Sequence, residues 1–338
     1  MRYLITGATG FVGTRLLGHL TAIGVETTIL VQDRSQTSAV ERLATRLVVG
    51  DLRTGAGLKE AVEGVDCVIH LAAANKAPSL GEVLSANVDG TRRLCKAIAA
   101  TPDRPRLVYC SSLSAAGPSP TDRPLREEDP CFPVSHYGRS KLGGEEVVRE
   151  FAGLIDAAVV RPPVVYGPGD LEFLPKVAAM VRRGVLVTVG EGPHIYSLVH
   201  VDDLCAALVT VAEHGAAVGG KDASRGVYYV SDGIPHTVEE IGSAVAKALR
   251  IRAPRILPVP LRAARVVARS SVVRSRMRRR LTILAPDTAQ ELRYPVWTCT
   301  AEKIGQELGF VPRVVLTDGI GQVLAEGARA AAGRGVVP

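Results

Sequence analysis

The sequence has no long hydrophobic run, and its cysteines are few and scattered. No stretch reaches the roughly 18 uninterrupted apolar residues of a membrane span. The N-terminal apolar run, Tyr3–Thr6, is also too short for a signal peptide. The six cysteines form no CxxC pair and have no clustered histidines beside them, which argues against a metal site or a disulfide framework. We therefore expect a cytoplasmic protein with reduced cysteines and no bound metal.

Positive charge is not spread along the chain either. The net charge is +7, but the excess comes from arginines crowded between Arg250 and Arg280. A nucleic-acid partner is therefore not indicated. A helix is predicted over this segment. One stripe of it carries Arg262, Arg265, Arg269, Arg276 and Arg280, and apolar Leu261 and Val267 lie on the opposite side. This stripe is either a solvated face, a contact with an anionic membrane surface, or an attractor for an acidic ligand.

Short runs rich in Val, Ile and Leu alternate with longer segments of helical period over about the first 165 residues. This alternation predicts an α/β fold with a doubly wound parallel sheet. The predicted strands are Tyr3–Thr6, Thr27–Val31, Leu47–Val49, Cys67–His70, Leu107–Cys110 and Ala158–Arg161. The predicted helices between them are Phe11–Ile23, Leu58–Glu63, Leu80–Ala100 and Tyr137–Phe151. We expect a first domain over 1–165, a smaller α/β region over 166–325 interleaved with it, and a flexible tail over 326–338.

Three glycines, Gly7, Gly10 and Gly13, follow the first predicted strand and open a helix that begins with Phe11 and Val12. This arrangement aims backbone N–H groups and the positive end of a helix dipole at the space above the strand ends, where a pyrophosphate would bind. Gly7 allows the turn, Gly10 lets the backbone approach the phosphates, and Gly13 lets the helix pack closely on the sheet. Thr9 either caps the helix or adds a hydroxyl to the site.

Tyr137 and Lys141 lie four residues apart on one predicted helix and so share a face. An ammonium group there lowers the pKa of a phenol toward working pH, which favours proton transfer. Ser112, on the loop after the fifth strand, is placed to hydrogen-bond a substrate oxygen. Ser111 is the rival for this role, because only the alignment of the loop selects its neighbour.

Several motifs in order make the chain similar to the extended short-chain dehydrogenase/reductase family over nearly its whole length. They are Thr6-Gly7-Ala8 within GxxGxxG, Gly50-Asp51-Leu52, His70-Leu71-Ala72-Ala73, Asn87-Val88-Asp89-Gly90-Thr91, Tyr137-Gly138-Arg139-Ser140-Lys141, the segment 161–170 (RPPVVYGPGD) and the segment 199–204 (VHVDDL). The segments 109–118 and 228–233 are closest to the branch that contains 3β-hydroxysteroid dehydrogenase and dihydroflavonol reductase. Members of that branch interconvert a ketone and a secondary alcohol on bulky, often apolar substrates.

This resemblance implies a Rossmann-type dinucleotide-binding domain in the first 165 residues and a substrate-binding region after it. It implies Tyr137 as the general acid/base, Lys141 as a partner of the nicotinamide ribose, and Ser112 as the residue that orients substrate. The residues implied to bind the cofactor are Gly7, Thr9, Gly10, Phe11, Val12, Gly13, Gln32, Arg34, Asp51, Leu52, Leu71, Ala72, Ala73, Asn87, Tyr137, Lys141, Pro162 and Val164. The family also implies a homodimer built on the helices Leu80–Ala100 and Tyr137–Phe151.

The end of the second strand normally selects between NAD and NADP, because an acid there binds both ribose hydroxyls and repels a 2′-phosphate. Val31 stands at that position, which argues against the usual preference for NAD. NADP-using relatives often carry arginine where this chain has Gln32. Arg34 is either a partner of a 2′-phosphate or part of a solvated loop, and Asp33 is an alternative ribose ligand. The sequence favours NADP.

The reaction is inferred from the positions at which this chain differs from other members of the family it resembles. Ser112-Leu113-Ser114 lacks the carboxylate that dehydratases use for elimination, and Ala115-Ala116-Gly117 replaces the Val-Tyr-Gly of many sugar epimerases. We expect an NAD(P)-dependent oxidoreductase that acts on a ketone or secondary alcohol. The alternatives are a nucleotide-sugar epimerase with tightly bound NAD, and a non-enzymatic dinucleotide-binding protein. Elsewhere, Asp203 is expected to cap the helix that follows it, and His200 either lines the cleft or is buried.

Overall fold

The computed structural model describes residues 1–33, 37, 40–74, 80–190, 192–260, 262 and 290–332 of the 338. The expectations for Arg34 and for the arginine stripe beyond Arg262 therefore lie outside the described residues. None of the helices in the described part of the chain is long and apolar enough to cross a membrane. All six cysteines lie within it and are free thiols.

The strands of the described chain are β1 (Tyr3–Thr6), β2 (Thr27–Val31), β3 (Arg46–Val49), β4 (Cys67–His70), β5 (Arg106–Cys110), β6 (Ala157–Arg161), β7 (Val164–Tyr166), β8 (Val185–Val189), β9 (Ile195–His200), β10 (Val227–Tyr229), β11 (Pro235–Thr237), β12 (Arg255–Val259) and β13 (Val296–Trp297). Seven of them form a parallel sheet in the order β10-β6-β5-β4-β1-β2-β3. From β1 the chain adds β2 and β3 on one side of the sheet, and then β4, β5 and β6 on the other side. The boundary between β1 and β4 is therefore the switch point of a doubly wound dinucleotide-binding sheet. The predicted fold class is confirmed, and the six expected strands are present.

The central strands are continuous apolar runs because helices cover both faces of the sheet. Every residue of β1, β2, β4 and β6 is buried. The helices are α1 (Phe11–Ala22), α2 (Leu58–Val62), α3 (Leu80–Leu84), α4 (Gly90–Ala100), α5 (Leu113–Ala116), α6 (His136–Glu150), α7 (Leu174–Arg182), α8 (Val201–His214), α9 (Val238–Leu249), α10 (Glu302–Leu308) and α11 (Leu316–Ala332). Helices α1 and α8 pack on one face, and α2, α4 and α6 pack on the other.

The expected single helix Leu80–Ala100 is interrupted. A π-helical turn, Ser85–Asp89, separates α3 from α4, and the N–H of Gly90 donates to the carbonyl of Ser85. Such turns occur often at functional sites. Here the turn buries Asn87 to 2% exposure, which brings its amide beneath the loop that follows β4.

The second half of the chain adds smaller sheets. One has the order β11-β9-β13, with β7 also paired to β9, and the other pairs β12 with β8. Strand β10 lies in the range predicted for the second region but joins the main sheet beside β6. The segment predicted as a flexible tail is helical as far as Ala332, and residues 333–338 lie outside the described residues.

Two glycines of α1 provide a matched test of the packing between helix and strand. A Cβ at Gly13 would overlap the carbonyl oxygen of Gly7, whereas a Cβ at Gly18 meets nothing within 4 Å. We expect Gly13→Ala to lower the free energy of unfolding by about 1–3 kcal/mol, because the backbone at Gly7 and Ala8 would have to shift to make room for the added methyl group. Gly18→Ala should raise it by up to about 1 kcal/mol, because alanine has the higher helix propensity. Urea titration of both variants measures the difference, and equal effects would contradict the packing described here.

Candidate active site

The loop between β1 and α1 is shaped by its glycines. Gly7 has φ +74°, and a Cβ there would lie 2.7 Å from the backbone nitrogen of Ala72. Gly10 is the N-cap of α1 and no side chain caps the helix, so of the two alternatives for Thr9, capping is not observed, while its place in the cavity lining leaves the second open. The first turn of α1 therefore keeps backbone N–H groups available for an anion above the strand ends.

A cavity of about 700 Å³ lies over this loop. It is lined by Thr6, Gly7, Thr9, Gly10, Leu30, Val31, Gln32, Asp33, Gly50, Leu52, Arg53, Leu71, Ala72, Ala73, Ala74, Glu82, Ser85, Ala86 and Asn87. Nine of the residues expected to bind a cofactor are thus brought together along one cleft of suitable size. The expected residues that are not part of this lining are Phe11, Val12, Gly13, Asp51, Tyr137, Lys141, Pro162 and Val164.

Next to the end of the cavity that Gln32 and Arg53 line, the Asp51 carboxylate binds the side chains of these two residues. Its carboxylate accepts hydrogen bonds from Gln32 Nε2 at 3.2 Å and from Arg53 Nη2 at 2.9 Å. The Arg53 guanidinium holds the pKa of Asp51 below its usual value. Val31, at the end of β2, is 5% exposed and offers no hydrogen-bonding side chain. Arg53 was not predicted to line this cavity, because it belongs to none of the sequence motifs.

A buried polar chain joins the ends of β1 and β4. His70 Nδ1 lies 2.6 Å from Thr6 Oγ1, and its Nε2 lies 3.1 Å from Thr91 Oγ1. Thr6 Oγ1 also accepts from the N–H of Ala72 at 3.3 Å, and Thr91 donates to the carbonyl of Asn87. These partners suit a neutral imidazole, and burial lowers the pKa of His70 to about 3. These hydrogen bonds hold together the loops after β1 and β4, which face the cavity.

Asn87 continues this network toward α6. Its amide exchanges two hydrogen bonds with the backbone of Ala74, at 2.7 and 3.0 Å, and donates to Ser140 Oγ at 2.8 Å. Ser140 in turn donates to the carbonyl of Tyr137 at 2.7 Å. A cofactor loop and the first turn of α6 are therefore held through one buried amide.

The Ser112 side chain acts on the phenol of Tyr137. Burial is the main cause that raises its pKa above the usual value of a phenol, and Cys110 and the carboxylate of Glu291 add to this effect. The interaction with Ser112 lowers the pKa. The expected lowering by Lys141 is not found: burial dominates the pKa of Tyr137, and Ser112 rather than Lys141 is the group that lowers it. The phenol is therefore protonated at neutral pH and available as a proton donor.

Lys141 lies beneath Tyr137 on the same face of α6 and is 2% exposed. Its Nζ donates to the carbonyl of Cys110 at 2.5 Å and lies 4.4 Å from the centre of the Tyr109 ring. Burial lowers the pKa of this ammonium to about 8. The charge of Lys141 therefore titrates near physiological pH, unlike that of a surface lysine.

The two serines after β5 face different partners. Ser111 is 3% exposed and donates to Glu145, which forms a buried ion pair with Arg161 at 2.6 Å. Ser112 is the N-cap of α5, accepts from the N–H of Ser114 at 3.1 Å, and is the partner of Tyr137. The geometry thus favours Ser112 over Ser111 as the serine that contacts a substrate.

A second cavity, of about 160 Å³, opens beside Ser112. It is lined by Ser112, Leu113, Ser114, Pro163, Val164, Tyr196, Glu291, Leu292 and Trp297. Val164, expected in the cofactor set, therefore lies on this second cavity. Tyr196, Glu291 and Trp297 come from distant parts of the chain, and sequence reasoning assigned none of them to the site. Within the described ranges, no three potential metal ligands cluster.

His200 and Asp203 are structural. His200 is fully buried and caps α8, with its Nδ1 accepting from the N–H of Asp202 at 3.2 Å. Asp203 accepts from the N–H groups of Arg313 and Val314 at 2.9 and 3.0 Å. The expectation that Asp203 caps the helix is therefore wrong, since His200 does so. Asp203 instead ties the C-terminal segment to α8.

Residues 3–224 match the model of the NAD-dependent epimerase/dehydratase family. A 4-hydroxy-2-methyl-3-oxo-4-farnesyl-3,4-dihydroquinoline-1-oxide ketoreductase of Stigmatella aurantiaca is 29% identical, covering 100% of this chain and 99% of that protein. A ceramide reductase of Caulobacter vibrioides is 34% identical over 61% of this chain and 59% of that protein. UDP-glucose 4-epimerase of Thermotoga maritima shares the fold, with a TM-score of 0.76 at 18% identity, covering 98% of this chain and 99% of that one.

The lowered pKa of Lys141 predicts a pH dependence of cofactor binding. Below about pH 8 the ammonium is charged and attracts an anionic dinucleotide, and above that pH it loses its proton. We expect the dissociation constant of NADPH to rise above pH 8 by at most about tenfold per pH unit, because one proton is linked to binding. Calorimetric titration between pH 6.5 and 9.5 measures it. Lys141→Met should bind weakly with a flatter profile; a flat wild-type profile would contradict the role of this charge.

Proposed function

This chain is an NAD(P)-dependent oxidoreductase of the NAD-dependent epimerase/dehydratase family, and we propose that it interconverts a ketone and a secondary alcohol on a bulky, apolar substrate. The observation that carries the proposal is the place of Ser112, which lines a largely apolar cavity and whose side chain acts on the phenol of Tyr137. The names of the ketoreductase and the ceramide reductase support the same chemistry on substrates with long hydrocarbon parts.

In this reaction the dinucleotide supplies or accepts the hydride. Ser112 and Tyr137 both hydrogen-bond the substrate oxygen, which gains negative charge as the hydride reaches the carbonyl carbon. Tyr137 donates its proton to that oxygen, so the secondary alcohol leaves neutral. The high pKa of Tyr137 suits the reductive direction at neutral pH, because the donor remains protonated. Lys141 contributes positive charge near the cofactor ribose.

Nine of the residues proposed to hold the dinucleotide line the 700 Å³ cavity. Gly7, Gly10 and the first turn of α1 receive the pyrophosphate, with Thr9 at the edge of the cavity. Gln32, Leu52 and Asp51 surround the adenosine end, although Asp51 acts there through Gln32 and Arg53. Toward the nicotinamide end, the proposed contacts are Leu71, Ala72, Ala73, Asn87, Tyr137, Lys141, Pro162 and Val164. Phe11, Val12 and Gly13 support the loop.

We propose NADP as the preferred cofactor. Val31 offers no carboxylate to the ribose hydroxyls, and Gln32 is uncharged. Arg53 lines the same part of the cavity and adds positive charge for a 2′-phosphate. Asp33, which also lines it, is the residue that would favour NAD.

Three further features are part of the proposal. Helices α3, α4 and α6 lie side by side on one face of the sheet and would form the interface of a homodimer. The arginine-rich segment from Arg262 to Arg280 would contact an anionic ligand or membrane surface. The protein would act in the cytoplasm. The competing function is epimerisation of a nucleotide sugar, which would need tightly retained NAD and no added cofactor.

Replacement of Tyr137 tests the mechanism. We expect Tyr137→Phe to lower kcat/KM for the reduction of deoxybenzoin, a bulky apolar ketone, by at least about 100-fold, because the proton donor is lost. Calorimetry should show NADPH binding within a few-fold of wild type. Tyr196→Phe removes a hydroxyl from the same cavity and serves as the control, with a small effect expected. Turnover that persists in Tyr137→Phe would exclude this residue as the proton donor.

The cofactor preference has its own test at Val31. Wild type should show the higher kcat/KM with NADPH than with NADH. Val31→Asp should shift that ratio toward NADH by at least about tenfold, because a carboxylate repels the 2′-phosphate. Val31→Asn has similar size without the charge and should shift it less. A wild type that prefers NADH would overturn the NADP proposal, and activity without any added cofactor would favour the epimerase.

A further inference from the structure

The two-stranded ribbon of β8 and β12 leaves an apolar face exposed. Its strands are parallel, with Leu186 beside Ile256 and Val187 beside Leu257. Leu186 is buried in the cluster that α7 and α9 line, and Ile256 packs against that cluster. Because side chains alternate between the two faces of a strand, Val187 and Leu257 lie on the outer face, where they are 47% and 45% exposed. The partly exposed residues that share this outer face are Val185, Val189 and Val259.

Arginines border this outer face at the end where both strands begin. Helix α7 leads into β8 and helix α9 leads into β12, and both connections are short and rich in arginine. The N–H of Arg255 donates to the carbonyl of Gly184 at 2.9 Å, so the two connections lie side by side. The arginines of this rim are all exposed. These rim arginines are Arg182, Arg183, Arg250, Arg252 and Arg255.

The charge of the rim is not compensated within the part of the chain that the structure describes. None of the rim arginines forms an ion pair with a carboxylate there. Acids lie instead where the two helices begin, since Glu172 precedes α7 and the first turn of α9 holds Glu239 and Glu240. At the C-cap of α9, Arg250 has φ +57°, a left-handed conformation that favours glycine. Positive charge is therefore placed at the rim at a cost in backbone strain.

An exposed aliphatic face bordered by unpaired arginines matches the chemistry of an anionic bilayer. Burial of apolar side chains at the acyl boundary and attraction of arginine to the headgroups reinforce each other. A second copy of the chain would bring the same arginines face to face across a two-fold axis, which is repulsive. A nucleic acid would meet the arginines through its phosphates but would leave Val187 and Leu257 in water. The two features together favour lipid.

We propose that the outer face of the β8–β12 ribbon docks on an anionic membrane surface. Val187 and Leu257 enter the headgroup boundary, and the rim arginines bind the anionic groups of the lipids. This surface is separate from the arginine-rich segment that starts at Arg262. The inference goes beyond the proposed function, because it concerns where the protein acts and not the reaction. An enzyme held at a bilayer meets apolar substrates where they partition.

Sedimentation of the full chain with lipid vesicles tests the docking. Wild type should bind phosphatidylcholine vesicles with about 30% phosphatidylserine at least about tenfold more tightly than pure phosphatidylcholine vesicles, and added salt should weaken this binding. The double variant Arg252→Gln/Arg255→Gln should lower the partition coefficient by at least about tenfold, because each arginine near an anionic surface contributes about fivefold. Val187→Ser/Leu257→Ser should lower it by about tenfold, because apolar burial is lost.

Matched controls change the same residue types elsewhere on the surface. Arg42→Gln/Arg225→Gln alters two exposed arginines, and Leu154→Ser/Val311→Ser alters two exposed apolar residues. Both controls should bind vesicles like wild type. All four double variants replace exposed residues, so urea titration should give each an unfolding midpoint close to that of wild type.

Binding that both ribbon variants weaken and both controls leave unchanged supports the docking surface. The inference is overturned if wild type does not bind anionic vesicles, or if the ribbon variants bind them as well as the controls do. Tighter binding of wild type to a DNA duplex than to vesicles would also overturn it. So would an oligomer that Val187→Ser/Leu257→Ser dissociates in analytical ultracentrifugation, because the face would then bind a second copy. Reduction of deoxybenzoin without lipid is assayed separately, so failure of the docking leaves the proposed function standing.

Discussion

The buried ion pair between Glu145 and Arg161 is the interaction on which the catalytic geometry depends. Both side chains are at most 3% exposed, so the loss of either partner would leave an unpaired charge in the interior. The pair is well satisfied, because Glu145 also accepts from Ser111 and Arg161 reaches the hydroxyl of Tyr229. It binds α6 to β6 and draws Ser111 inward, which leaves Ser112 on the side of the cavities.

The same helix explains why Tyr137, the Lys141 ammonium and the ion pair lie together. Tyr137, Lys141 and Glu145 recur every four residues along α6 and therefore form one stripe toward the sheet. Their environments differ: Glu145 is paired with Arg161, the pKa of Lys141 is lowered to about 8 by burial, and the phenol of Tyr137 is acted on by Ser112. One helical face thus carries the ion pair, the ammonium and the phenol proposed as proton donor.

The cofactor cleft rests on a different constraint, which is steric. Gly7 and Gly13 allow the backbone of the first loop to touch Ala72 and the turn itself, where any Cβ would collide. The hydrogen bonds of His70 and Asn87 then hold the loops after β1 and β4 at the distance that this contact sets. The cleft is therefore shaped by backbone, whereas the substrate cavity is shaped by side chains.

The sequence by itself determined the parallel sheet, the glycine turn and the stripe of Tyr137 and Lys141, because period, glycine and spacing of four act within a few residues. Only the tertiary structure separates Ser111 from Ser112, since a buried carboxylate from another element binds Ser111 alone. The π-helical turn at Asn87 and the place of Glu291 in the cavity beside Ser112 also could not be read from the sequence. Contacts between residues far apart in the chain depend on how helices and sheets pack, and local patterns do not record that packing.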